Sequence, residues 1–160
     1  MADEPGGRWQ ELLGRRVCSA EVAIKALRPG RRIFIGSGAA QPLSLVEAMV
    51  RCGHQLADNE VVHILTLGSA PYAEPEAADR FRHNAFFIGP NVRAAVRDGP
   101  ADFTPVFLSE LPGLLRSGRL AVDAALVQVS EPDTDGFATL GVSVDVVRAA
   151  VDSARIVLAE

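Results

Sequence analysis

The sequence predicts an α/β domain built on an open, mostly parallel sheet with helices on both faces. Three observations carry that expectation. Short β-branched or aromatic runs alternate with short helical segments, the pattern of βαβ crossovers. The runs are close to continuously apolar, as in Val61–Leu67 and Asp123–Val129, which suits strands covered on two sides. Turn signals follow the runs, drawn from 14 Gly and 10 Pro in 160 residues.

In chain order, residues 1–7 read as a loose terminus and residues 8–160 as one domain. Residues 8–27 are helical in two pieces; Trp9, Leu12 and Leu13 lead, and Ser19 caps the second. Pro29-Gly30 ends it. Arg31–Gly36 is a strand, Gly36-Ser37-Gly38 a turn, and Leu43–Arg51 a helix that Pro42 opens and Gly53 stops. Val61–Leu67 is the next strand, Gly68–Pro71 a turn and Pro75–Arg82 a helix. Asn84–Ile88 is a strand, and Val92–Arg97 a short helix closed by Asp98-Gly99. Thr104–Phe107 is a brief strand. Ser109 caps a helix through Leu115, with Glu110 in its first turn and Gly118 past its end. Asp123–Val129 is a strand, and Glu131–Gly136 a turn leading to a strand near Phe137–Leu140. Asp145–Asp152 is a helix and Arg155–Leu158 a last strand. Ending directly after a strand, the chain reads as part of a longer protein.

Charge and composition exclude several classes. Sixteen Lys and Arg stand against 20 Asp and Glu, a net charge of −4. The only basic cluster is Arg28, Arg31 and Arg32, too few charges for a duplex-binding face, so no nucleic-acid partner is expected. No run reaches the roughly 18 apolar residues of a membrane span, and the acidic start Met1–Pro5 lacks a secretory apolar core. A cytoplasmic protein is expected, with Cys18 and Cys52 reduced.

The constellation that best suits a binding site is Gly36, Ser37, Gly38, Ala39, Ala40, Gln41 and Pro42. It leaves a strand and opens a helix, where open α/β sheets hold their ligands. Glycines there admit a ligand close to the backbone, and free helix N–H groups favour an anion or a carbonyl oxygen. The bland alternative is a strand-to-helix turn that needs two glycines. Gln41 stands where a dinucleotide fingerprint needs glycine, no G-K-[ST] follows, and Ser37 lacks the spacing of a nucleophile elbow. Metal sites are not expected. Cys52-Gly53-His54 has no second ligand pair, and Glu131, Asp133, Asp135 and Gly136 imitate a calcium loop that fails at Val142. His54, His63 and His83 read as isolated, His63 as a hydrogen-bonded core or strand-end residue. Phe103–Pro112 reads as a strand and helix cap, or else as one wall of an acyl or pantetheine tunnel.

Four stretches taken in order resemble the N-terminal domain of the acetyl-CoA hydrolase/transferase family: Ser19–Ala23, Gly36–Pro42, Gly99–Pro112 and Val129–Ser143. The likeness runs from about Trp9 to Glu160. It departs at Glu131, where a proline before Pro132 is common. The resemblance implies a CoA-transferase-like fold and a short-chain acyl-CoA transferase or hydrolase, acetate CoA-transferase-like, with an acyl-CoA and a short-chain carboxylate as substrates. It implies a glutamate that attacks the thioester and carries CoA as a glutamyl thioester. No position here matches that glutamate's motif, so no catalytic residue is expected in this chain. A C-terminal half or partner subunit would supply it, and a homo-oligomer is possible. No cofactor is implied, coenzyme A entering as the substrate ester. Gly36–Pro42 would face the cleft near the acyl or pantetheine portion. The alternatives are a catalytically silent fragment, a non-catalytic module binding a CoA ester or nucleotide, and a serine hydrolase using Ser37.

Overall fold

The computed structural model describes residues 8–160; the loose terminus expected at residues 1–7 lies outside them. Six strands form one sheet: β1 (Arg32–Ile35), β2 (Asn59–His63), β3 (Phe81–Ala85), β4 (Ala101–Phe103), β5 (Ala124–Val127) and β6 (Ile156–Ala159). Their spatial order is β4-β3-β2-β1-β5-β6 and every pairing is parallel. Six helices connect or flank them: α1 (Arg8–Leu13), α2 (Ala20–Ile24), α3 (Leu43–Cys52), α4 (Arg93–Asp98), α5 (Leu111–Arg116) and α6 (Val147–Ser153).

Side chains alternate across each strand, so one apolar run feeds two cores. Ile33, Ile35, Val61 and Leu126 face α2 and α3, where Ile24, Leu27, Leu45 and Met49 close the layer. Phe34, Val62, Ala125 and Val127 face α5 and α6, against Leu111, Leu115, Val147 and Ala150. Each of these large side chains contributes about 1.5–3 kcal/mol on burial. The sheet covered on both faces is thus the expected one.

The helix signals hold in part. The Ser19 hydroxyl accepts from the Val22 N–H at 3.4 Å. Gly53 donates to Met49 O, and a Cβ there would lie 2.3 Å from that oxygen, so only glycine ends α3 this way. Ser109 does not cap; the Glu110 carboxylate accepts from the Phe107 N–H at 3.4 Å instead, and the helix begins at Leu111.

Other boundaries move for identifiable reasons. The helix expected over Pro75–Arg82 is two 3₁₀ turns, Pro71–Ala73 and Pro75–Ala77, each opened by a proline. Prolines four residues apart forbid a continuous α ladder. β3 then starts at Phe81 and ends at Ala85, because Phe81, His83 and Ala85 are its inward row. β4 precedes the expected Thr104–Phe107: Thr104 makes the last bond, to Ala85 O, and Pro105 has no N–H to continue. β2 begins at the polar pair Asn59-Glu60, which is satisfied from afar. Asn59 donates to Arg28 O at 2.8 Å, and Glu60 meets Arg32 and Asn84. No strand forms at Phe137–Leu140. That stretch is folded back by bonds from Asp133 N to Phe137 O and from Ser130 N to Thr139 O.

Candidate functional site

β1 lies between β2 and β5, so the strand order reverses direction beside it. Such a reversal opens a crevice at the carboxyl ends of the strands. Two segments border it: residues 36–42 leaving β1 and residues 128–146 leaving β5. Gly36 donates to Leu126 O and Gly38 to Leu65 O, each at 2.8 Å, which ties the loop to both neighbours. Gly38 has φ +64° and makes a single parallel bridge to Thr66. A Cβ on Gly38 would lie 3.2 Å from Ser143 Oγ, so the segment after β5 presses directly on this glycine.

The seven expected site residues come together but divide in role. Gly36, Ser37, Ala40, Gln41 and Pro42 are buried; Gly38 is half-buried and only Ala39 is exposed. Gln41 is a cross-link rather than a ligand contact. Its amide donates to Ser69 O at 3.0 Å, and its oxygen accepts from the Thr66 hydroxyl and from the Gly68 N–H at 3.2 Å. The N–H groups of Gly36, Gly38 and Ala40 are used internally. Ala39 N–H meets no acceptor among the described residues, and the buried Ser37 Oγ likewise has no partner there. The start of α3 is partly filled: Glu160 Oε2 accepts from the Leu45 N–H at 2.8 Å. The loop's open donor is therefore Ala39 N–H, not the helix end that the sequence pointed to.

A comparison with protein-family models matches residues 8–160 to the acetyl-CoA hydrolase/transferase N-terminal domain. The chain belongs to this family. It is 38% identical over 152 residues to the 4-hydroxybutyrate coenzyme A transferase of Clostridium kluyveri, covering 95% of this chain and 35% of that protein. It is 41% identical over 136 residues to the succinyl-CoA:acetate/propanoyl-CoA:succinate CoA transferase of Fasciola hepatica, covering 84% and 28%. The crystal structure of 4-hydroxybutyrate CoA-transferase from Porphyromonas gingivalis superposes with a TM-score of 0.75 at 34% identity, covering 94% of this chain and 34% of that one. The chain thus spans about a third of the length of these relatives, and it is the N-terminal domain of a CoA-transferase-type fold.

In this family domain the carboxyl side of the sheet is conspicuously apolar. Leu67, Phe87, Phe103, Phe107, Phe137 and Val142 are all exposed, Phe107 and Val142 by more than three quarters. They lie in or after β2, β3, β4 and β5, in segments that leave the carboxyl ends. Carboxylates are scarce there. Asp133 accepts from the Asp135 and Phe137 N–H groups, and Glu131 from Trp9 Nε1 at 3.2 Å, so the apparent calcium loop is spent on its own turn. Among the described residues no three metal-ligating side chains converge, and no helix is long and apolar enough to cross a membrane.

One cluster escaped the sequence reading. His63 and His83 are not isolated: their rings stack at 4.4 Å, and Tyr72 sits edge-on to both at 5.7 and 5.6 Å. All three are buried. His63 is a strand-end residue, but neither ring nitrogen is hydrogen-bonded among the described residues; His83 Nδ1 lies 3.0 Å from Val61 O. Burial, helped by the neighbouring His83, holds His63 well below the ordinary histidine range. Burial pushes His83 down to about 4, although Val61 O and Glu60 pull the other way. The same burial raises the Tyr72 phenol. The cluster lies under the helical layer and is part of the core. The basic trio is likewise structural: Arg32 pairs with Glu60, Arg31 with Asp123, and Arg28 donates to Lys25 O.

Proposed function

We propose that this domain forms one wall of the cleft of a short-chain acyl-CoA transferase or hydrolase, and that the catalytic glutamate comes from the remaining two thirds of the family's length. The observation that carries this is the apolar carboxyl face. Single domains seldom leave so many large apolar side chains exposed on one side unless something packs there. The relatives named above are CoA transferases about three times as long as the matched region, so such a covering part exists within the family.

The chemistry would run through that glutamate. Its carboxylate oxygen attacks the thioester carbon, the C–S bond breaks, and CoA leaves as thiolate beside an acyl-glutamyl anhydride. The thiolate then attacks the glutamyl carbonyl and releases the first carboxylate. An acceptor carboxylate such as acetate reverses these steps; water in its place gives hydrolysis. Covalent catalysis divides one difficult exchange into easier ones. This chain's contribution is the Gly36–Pro42 wall, where Ala39 N–H offers a donor to a carbonyl or carboxylate oxygen of the acyl or pantetheine portion. The coenzyme A ester enters as substrate rather than resident cofactor, in a cytoplasmic enzyme.

Calorimetric titration of the purified chain with acetyl-CoA and with free CoA, followed by a thioester-loss assay, tests the reading. Binding without turnover is expected. Turnover by this chain alone refutes the absent-glutamate assignment, and a Ser37→Ala variant then asks whether the Ser37 hydroxyl is the nucleophile. A module that binds but stays silent when the rest of a relative is supplied would be a sensor instead.

A further inference from the structure

The exposed apolar side chains fall into two groups. Most lie on the carboxyl face; the others, Leu12, Val17, Val22 and Val157, surround the outer edge of β6. That edge is open. Ile156 N–H bonds to Asp123 O, and Glu160 bonds Val127 and Val129 of the β5 side through its N–H and C=O. In a parallel ladder alternate residues turn to opposite sides, so the backbone groups of Val157 and Ala159 point away from β5. Among the described residues they meet no donor and no acceptor. Residues 16–18 run opposite this edge without touching it by a hydrogen bond. Hollows of about 530 and 580 Å³ lie beside the edge, and both are lined by Arg16, Cys18, Val157 and Ala159.

An unprotected edge is a template for another strand, and proteins blunt it with charge, proline or a covering element when nothing is meant to pair there. Here the outward residues are Val and Ala, the adjoining wall is apolar, and the slot stands open on both sides. We propose that β6 accepts a seventh strand, an extended segment from the part of the family's fold that follows this domain. The proposal rests on the reading above that such a part completes the protein. The relatives supply the length for it, since this chain covers about a third of them. The segment carries apolar side chains toward Val17 and Val157. It also carries an acidic residue near Arg16, which is exposed and has no acidic partner among the described residues.

The test is a chimera in which the C. kluyveri relative's sequence beyond the matched region follows Glu160. Backbone amide exchange is read at Val157 and Ala159, in the chimera and in this chain alone. Both amides are expected to exchange freely in this chain and to slow by about tenfold or more in the chimera. Ala159→Pro removes the outward donor without touching the β5 ladder; it should leave this chain folded while restoring fast exchange at Val157 in the chimera. Unchanged exchange in a folded chimera overturns the proposal even if the chimera transfers CoA. Inactivity with slowed exchange leaves the strand standing and counts against the function above. Should this chain dimerise, with Ala159→Pro abolishing the dimer, the occupant is a second copy and the proposal fails. If the chimera does not fold, overlapping peptides of the same sequence at about 1 mM replace it. Protection of both amides by one of them supports the strand, and protection by none overturns it.

Discussion

Acid should weaken this domain well before its carboxylates titrate, because of two stacked histidines. His63 and His83 are buried in the neutral form, and a charged ring in either place would lack solvent. A histidine with its folded value depressed contributes fully above its unfolded value, about 6.5. It loses that contribution as pH falls toward the folded value, which for His83 is about 4. Between those limits the unfolded chain holds the extra proton, and stability drops by about 1.4 kcal/mol per pH unit for each ring. Taken through the whole window, His83 alone accounts for about 3 kcal/mol. His63 acts in the same direction. Urea unfolding at pH 7.5, 6.5, 5.5 and 5.0 should therefore show a falling midpoint at constant slope. His63→Phe keeps an aromatic ring of similar size and should remove about half of the pH dependence, with little change at pH 7.5. A flat wild-type profile, or an undiminished slope in His63→Phe, would show that the rings reach solvent or partners and would refute the burial argument.

Three further perturbations bear on the glycine loop. Gly38→Ala places a Cβ at φ +64° and within 3.2 Å of Ser143 Oγ; denaturation should show a loss of about 1–2 kcal/mol. Gln41→Ala strips partners from Thr66, Gly68 and Ser69; a cost of about 2 kcal/mol is expected, with faster amide exchange at Gly68. Glu160→Gln weakens a charged cap on the Leu45 N–H; a loss of about 0.5–1 kcal/mol at neutral pH should shrink on acidification, measured by thermal unfolding.

The strand, glycine turn and helix spanning residues 31–52 were legible because their signals are local: a β-branched run, two glycines, then proline before an amphipathic stretch. The parallel sheet followed from repetition of that unit. What stayed hidden depends on register. His63 and His83 meet only because β2 and β3 pair Val61 with His83, a relation that no single-strand pattern contains. Asn59 and Glu60 look unlike a strand, since Arg28, Arg31 and Arg32 satisfy them from another element. The helix N-terminus expected to stand open holds Glu160, more than a hundred residues away. The seven-residue loop was found as a unit; its division into buried struts and one exposed donor at Ala39 required the tertiary contacts.

The strand order also has a kinetic consequence. β1 to β4 are neighbours in both sequence and space, so that half of the sheet can assemble by short, successive closures. β5 must return across all of that chain to reach the other side of β1. Closing so long a loop is entropically costly, and non-local pairing slows folding. Until it closes, Ile33, Phe34 and Ile35 present a bare apolar edge. Refolding should thus be limited by the seam between β1 and β5, and aggregation during expression should start from that same seam.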